Sequence, residues 1–280
     1  MCFACAMPIV RVDDLGDTRL EGYRSLKDAT LAARHGRFVV EGRGNLRVLL
    51  ERSNYRPESI LLSERAWAAM EEELAATPPG CPIFVAAQTI LDGIAGFPIH
   101  RGCLALCLRR PTPDPLWLAR EALALEATPR LVVLEGLTNH DNVGGVFRNA
   151  MALGARGVIL CPRSCDPLYR KAIRTSMGGT LCVPFARALV WPEPLRELRD
   201  LGFELLALDP DEANSDIATL DPDRLGPVAL LFGTEGPGLG AEALALSDRR
   251  LRIGMQPGVD SLNVSVASGI ALHHLRGGTV

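Results

Sequence analysis

Residues 260–275 read DSLNVSVASGIALHHL: an acid, a hydroxyl and an amide open a run that is otherwise small and apolar. A buried polar group left unpaired costs about 1–3 kcal/mol, so Ser261 and Asn263 need partners, whether a helix start, backbone or a ligand. Two other stretches set polar residues at the end of an apolar run. LEGLTNHDNVGGVFRNA (134–150) follows the strand-like 131–134, and LLFGTEGPGLG (230–240) closes the strand-like 228–232. Short continuous apolar runs separated by helical segments predict an α/β fold with a parallel sheet covered on both faces. In such sheets ligands bind beyond the carboxyl ends of the strands, which is where all three stretches fall.

Taken singly, each residue has an ordinary structural reading. Asn142 suits the cap of a helix running from Val143 to Leu153, with Arg148 on its surface. Gly233, Gly236 and Gly238 suit turns with positive φ, Glu235 suits the first turn of a helix, and Ser261 suits an N-cap.

Taken together they resemble the SpoU branch of the SPOUT RNA methyltransferases. The resemblance rests on N-x-G-x-x-x-R-x-A (Asn142, Gly144, Arg148, Ala150), F-G-x-E-G-x-G (Phe232 to Gly238) and M-x-x-G-x-D-S-L-N-V-S-V-A (Met255 to Ala267). YRKAIRTSMGG adds an R-x-S-x-G segment at Arg174, Ser176 and Gly178. Residues 20–110 are similar to the family's substrate-binding domain, whose fold is that of small RNA-binding ribosomal proteins.

Composition bounds the remaining possibilities. At 280 residues and 48% apolar the chain can bury a sizeable core, and no apolar run approaches the roughly 18 residues of a membrane span. The start, MCFACAMPIVRVDD, lacks the features of a secretory signal, which predicts a cytoplasmic protein with no membrane partner. Eight cysteines include one C-x-x-C pair, Cys2 and Cys5, with no second pair at zinc spacing, so no metal is expected. A net charge of −3 and a pI near 6.0 place any nucleic-acid contact on a local patch. The glycine-rich loop at 233–238 lacks the GK[ST] ending of a nucleoside-triphosphate loop.

PTPDP, 111–115, concentrates prolines and reads as the link between two domains. The expected division is 1–112, a small α/β RNA-binding domain, and 113–280, the methyltransferase domain. In the first, RSLKDATLAARHG predicts a helix, FVVEG a strand, NLRVLLERS a helix, SILLSE a strand, 65–76 a helix, and PIFVAA and GCLALCL strands.

The resemblance implies transfer of a methyl group from S-adenosylmethionine to a ribose 2′-hydroxyl of rRNA or tRNA. It also implies a homodimer and a C-terminal deep trefoil knot, with Val264, Ala267, Gly269 and Ala271 packed inside it. Cofactor contacts are implied at Gly233, Thr234, Gly236, Ile253, Met255, Leu262, Val264 and Ala267. Arg148 is implied at the acceptor hydroxyl, helped by Asn142, Glu235, Ser261 and Asn263. Arginine is a poor base, so the proton would leave through Glu235 or an RNA phosphate. Arg163, Arg170, Lys171 and Arg174 form the expected phosphate contacts, and a 2′-hydroxyl target excludes DNA. The chain departs from the family in reading NHDN where D-P-x-N is common, and in carrying Asn149 where threonine is common. His140 stays outside the catalytic set. Two other classes remain open: a non-catalytic RNA-binding scaffold with this fold, and a different nucleotide enzyme using the glycine-rich loop.

Overall fold

The computed structural model describes residues 9–24, 36–96, 98–99, 102–211 and 213–276. The helix expected over RSLKDATLAARHG and the Cys2/Cys5 pair lie outside the described residues. The chain divides into two compact units, one comprising Met1–Pro111 with Leu168–Cys182, the other Thr112–Pro167 with Val183–Val280. The segment Leu168–Cys182, which the sequence reading places in the second domain, therefore packs with the first.

In the first unit the elements run β1 (Ile9–Val12), β2 (Arg37–Glu41), α1 (Arg43–Arg52), β3 (Pro57–Ser63), α2 (Glu64–Ala68), α3 (Glu71–Leu74), β4 (Ile83–Ala86), α4 (Gln88–Ala95) and β5 (Cys103–Leu108). The sheet order is β1-β4-β3-β5-β2; β5 runs antiparallel to both neighbours and the β1, β4 and β3 pairings are parallel. The single helix expected over 65–76 is broken in two, because the chain turns at Met70 to bury that side chain.

The second unit begins with α5 (Pro115–Leu125), β6 (Arg130–Leu134), α6 (His140–Leu153) and β7 (Gly157–Leu160). The chain then makes α7 (Arg170–Thr175) and α8 (Gly179–Cys182), which belong to the first unit. It returns with β8 (Phe185–Arg187), α9 (Glu193–Asp200), β9 (Glu204–Leu208), β10 (Ser215–Asp216), β11 (Val228–Phe232), α10 (Ala241–Leu246), β12 (Arg249–Arg252) and α11 (Val264–Leu275). Asp114 and Pro115, the end of PTPDP, start α5: the Asp114 carboxylate accepts from the backbone N–H groups of Leu116 and Trp117.

The sheet of this unit has the order β10-β12-β9-β11-β6-β7-β8, and every pairing in it is parallel. β11 is buried at all its positions, which explains its unbroken apolar run. Leu131, Val133, Ala229, Leu231 and Leu205 pack with Leu118, Leu195 and Leu198 of the helices α5 and α9. β12, with sequence RRLR, carries no apolar period; only Leu251 turns into the core, so its pairing with β9 was not legible beforehand.

The helix α11 lies along α6 in a close seam. A Cβ placed on Gly145 of α6 would sit 2.5 Å from the Ser265 Cβ, and one on Gly269 of α11 would sit 3.1 Å from Asn149 Nδ2. Asn149 Nδ2 donates to the Ser265 carbonyl at 2.5 Å and to Ser268 Oγ at 3.0 Å. The departure at Asn149 is thus a clamp between helices. Arg130 fastens the far end, donating from Nε to the Leu275 carbonyl and from Nη1 to the carbonyls of Thr128 and Gly226; its burial holds the guanidinium below its ordinary pKa. Overpacking of this kind costs about 1–3 kcal/mol, so Gly145→Val is expected to lower stability by that amount, read as an earlier midpoint in urea unfolding.

Candidate active site

Two of the three polar stretches, those at 230–240 and 260–275, converge in one cleft of about 550 Å3 in the second unit, at the carboxyl ends of β9, β11 and β12, and the first is tied to it by a hydrogen bond from Asn263 to Asn142. Its walls include Gly233, Thr234, Glu235, Gly236, Ile253, Met255, Ser261, Leu262, Asn263, Val264 and Ala267. All the positions expected to contact a cofactor therefore share one cavity, together with three of the five expected catalytic residues.

The loop after β11 folds back on itself. Thr234 and Gly238 exchange backbone hydrogen bonds, each N–H donating to the other's carbonyl at 3.1 Å. Gly236 and Gly238 have φ of 106° and 70°, as the turn reading expects. Gly233 is required for another reason: a Cβ there would lie 2.1 Å from the Gly238 carbonyl carbon and 2.2 Å from the Leu239 nitrogen. Glu235 stands exposed in the loop and not in the first turn of a helix, since α10 begins only at Ala241.

A residue the sequence reading passed over anchors this loop. Glu135, buried directly after β6, accepts from the Gly240 N–H at 2.9 Å and from Trp191 Nε1 at 2.8 Å. Gly240 permits this approach, because a Cβ on it would come within 2.9 Å of Glu135 Oε1. An acid immediately behind an apolar strand was the available signal. Cys161 adds to the same turn, its sulfur accepting from the Gly136 N–H at 3.0 Å.

The amides are sorted differently from the sequence expectation. α6 begins at His140 and is capped by Asn139, whose side chain accepts from the Asp141 N–H. Asn142 therefore lies inside the helix, almost fully buried, and its Oδ1 accepts from Asn263 Nδ2 at 2.9 Å. Asn263, not Ser261, caps α11: its Oδ1 accepts from the Ser265 N–H and hydroxyl at 2.9 and 2.7 Å. Ser261 is exposed at the rim of the cleft. Val264 and Ala271 are buried, while Ala267 and Gly269 are half-buried, the first facing the cleft and the second Asn149.

Arg148 lies on the exposed face of α6, outside the walls of the cleft, and makes no ion pair with the described residues. The expected phosphate-binding residues are divided between the units. Arg163, in the second, is exposed on a turn that Arg187 fixes by donating to the carbonyls of Cys161, Pro162, Ser164 and Cys165; its Nη2 lies 3.8 Å from Glu135 Oε1. In the first unit Arg170 Nη1 is 3.1 Å from the buried Glu41 carboxylate and Arg174 Nη1 is 3.8 Å from it. These two guanidiniums compensate a buried acid, a partner that the expectation of phosphate contacts did not include. Lys171 is half-buried on the same helix, α7. Ser176, expected in the R-x-S-x-G segment, is wholly buried and donates to the Ile173 carbonyl.

Burial, reinforced by the Asp166 charge, pushes the Cys165 thiol up to about 12, which disfavours a thiolate at that position. Among the described residues no three His, Cys, Asp or Glu side chains gather to hold a metal.

Comparison with known proteins then places the chain. The SpoU rRNA methylase family matches residues 129–273. The chain belongs to that family. It is 37% identical over 282 residues to an uncharacterized tRNA/rRNA methyltransferase of Mycobacterium bovis, covering 96% of this chain and 94% of that one. Its fold is similar to that of an AdoMet-bound rRNA methyltransferase from Sinorhizobium meliloti, with a TM-score of 0.80 at 23% identity, over 96% and 97% of the two chains. It is similar also to the SpoU methyltransferase AviRb from Streptomyces viridochromogenes in complex with AdoMet, with a TM-score of 0.77 at 23% identity, over 93% and 98%.

The Asn142–Asn263 bond joins the first and third stretches and lends itself to a double-mutant cycle. Asn142→Ala and Asn263→Ala are each expected to destabilise by about 1–3 kcal/mol, and the pair by less than the sum. Strict additivity in urea unfolding would mean that the two amides do not support one another.

Proposed function

We propose that this member of the SpoU family is an S-adenosylmethionine-dependent methyltransferase acting on a ribose 2′-hydroxyl of rRNA or tRNA. The observation that carries the reading is the single cleft of about 550 Å3, walled by all eight positions, from Gly233 to Ala267, that the family resemblance assigns to the cofactor. Its chemistry fits the cofactor. The loops after β11 and β12 bring backbone groups to the cleft wall, where main-chain donors and acceptors can read an adenine edge, and Ile253, Leu262 and Val264 offer apolar contact to the ring. The absence of a Cβ at Gly233 keeps the loop folded close to the strand end. When bound, S-adenosylmethionine supplies an electrophilic methyl group on a sulfonium.

The chain's own groups have separate tasks in this reaction. Arg148, charged and exposed, orients the acceptor nucleotide through its phosphate, a role suited to the planar guanidinium. The hydroxyl proton passes to the RNA phosphate or to Glu235, whose carboxylate lines the cleft. Asn142 and Asn263 hold α6 and the loop before α11 in register, and Ser261 at the rim is placed to hydrogen-bond the incoming nucleotide. The first unit and Arg163 supply RNA contacts. The passage of 260–275 through a trefoil knot belongs to this reading, and the small residues of the α6–α11 seam support it.

On this reading the position of Arg148 outside the cleft is accounted for by a second subunit. Val266 and Ile270, four residues apart on α11, remain 50% and 39% exposed and form an apolar patch on that helix. A homodimer packed through this patch would bring Arg148 of one subunit to the cleft of the other.

Incubation of the purified protein with tritiated S-adenosylmethionine and unmodified RNA is expected to label one internucleotide bond and make it resistant to alkali. Absence of label from rRNA and tRNA, with cofactor binding intact, would favour a scaffold instead. Arg148→Ala is expected to reduce transfer by at least about 100-fold while calorimetry shows cofactor affinity within about threefold, whereas Gly233→Ala is expected to abolish cofactor binding. Val266→Asp is expected to yield monomers in sedimentation analysis and, in the same preparations, to lose transfer.

A further inference from the structure

The eight positions that the family resemblance assigns to the cofactor, from Gly233 to Ala267, are all uncharged. They suit an adenosine, but S-adenosylmethionine also carries an amino-acid end, with an ammonium and a carboxylate, beside its sulfonium. Charged side chains stand on the same walls: Asp209, Glu235, Asp260 and Arg252. Among the described residues Arg252 is the only basic one that lines this cleft.

Arg252 ends β12, and its surroundings leave it unpaired. Two acids are its neighbours in the sheet. Asp216 of β10 is its register partner, and Asp209 directly follows Leu208, the β9 residue opposite Leu251. Neither forms an ion pair with it. Asp216 is turned elsewhere: its Oδ1 accepts from the Ala218 N–H at 2.9 Å, and its Oδ2 lies where a Cβ on Gly254 would be only 2.5 Å away. Asp209 is held through its backbone, its N–H donating to the Leu251 carbonyl at 2.9 Å, while its carboxylate makes no hydrogen bond with a described residue. Arg252 Nε is buried without an acceptor. A buried donor on a permanently charged group is costly unless an acceptor reaches it. The residue borders the cleft, so an occupant of the cleft can supply one.

We propose that Arg252 receives the carboxylate at the methionyl end of the cofactor. The match is one of charge. A sulfonium, an ammonium and a carboxylate amount to two positive charges and one negative, and the walls offer three carboxylates and one guanidinium. The single anion of the cofactor thus has a single cationic partner, and the planar fork of arginine suits the two oxygens of a carboxylate. An RNA phosphate suits this position less well, because the sugar-phosphate chain would have to enter the cavity that the cofactor fills. The proposal rests on the cofactor reading of this cleft and gives the charged end of the cofactor a partner that the family resemblance did not single out.

The test compares S-adenosylmethionine with its decarboxylated analogue, which lacks only the carboxylate, by calorimetry on the full chain. The wild type is expected to bind the complete cofactor at least about tenfold more tightly, as a charge-assisted contact allows. Arg252→Gln is expected to bind the two ligands within about threefold of each other, with the loss confined to the complete cofactor. Arg252→Lys, which keeps the charge but not the fork, is expected to fall between. Equal affinity of the wild type for the two ligands would overturn the proposal. So would an equal loss of both in Arg252→Gln, which would set the arginine against the adenosine or give it a purely structural part. Thermal melting establishes that Arg252→Gln is folded; where it is not, the wild-type comparison and Arg252→Lys decide. Failure of the wild type to bind either ligand would remove the cofactor reading itself and the proposal with it.

Discussion

The lateral contact of α6 with α11 is the constraint on which the second unit turns. Two helices separated by more than a hundred residues are brought close enough that Gly145 meets Ser265 without room for a Cβ. Amides then lock the approach at two levels, Asn142 to Asn263 near the helix starts and Asn149 to Ser265 and Ser268 further along. Because α6 follows β6 directly and α11 follows the cleft-lining segment 253–263, fixing one helix on the other fixes the loops at both strand ends. Small residues set the distance and amides set the register.

A second constraint acts on the glycine-rich loop. It must fold back so tightly that Gly233 touches the Gly238 backbone, and such a loop would wander without an anchor. Glu135 supplies one, a buried carboxylate whose two oxygens accept from Gly240 and Trp191. The pairing register places β11 directly beside β6, so the acid that ends one strand reaches the loop that leaves its neighbour. The cleft is thus a product of the sheet order: adjacent parallel strands deliver their loops to one edge, and a few backbone-directed side chains hold them open.

Much of the site was legible because its residue types are costly elsewhere. Glycines at Gly233, Gly236 and Gly238 and amides at Asn142 and Asn263 stand out against apolar strands, and the structure brings their stretches together. Their individual roles were less legible. Asn139, Asn142 and Asn263 are chemically equivalent as caps, and only the helix start at His140 shows that Asn142 is interior. Arg170 and Arg174 read only as phosphate contacts because their acid partner, Glu41, lies far away in the chain. Glu135 was hidden for the same reason.

What the sequence determined by itself was the parallel α/β class, the break at 111–115, and the three stretches that would carry the chemistry. Strand runs, turn glycines and prolines act locally, through backbone conformation and the burial of neighbouring side chains, so they can be read along the chain. Tertiary structure decided the rest: the allegiance of Leu168–Cys182 to the first unit, the strand character of RRLR at 249–252, the buried pairing of Glu41, and the exposure of Arg148 outside the cleft. Each of these depends on a partner remote in sequence, and electrostatic compensation and strand pairing leave no periodic trace at the residues that receive them.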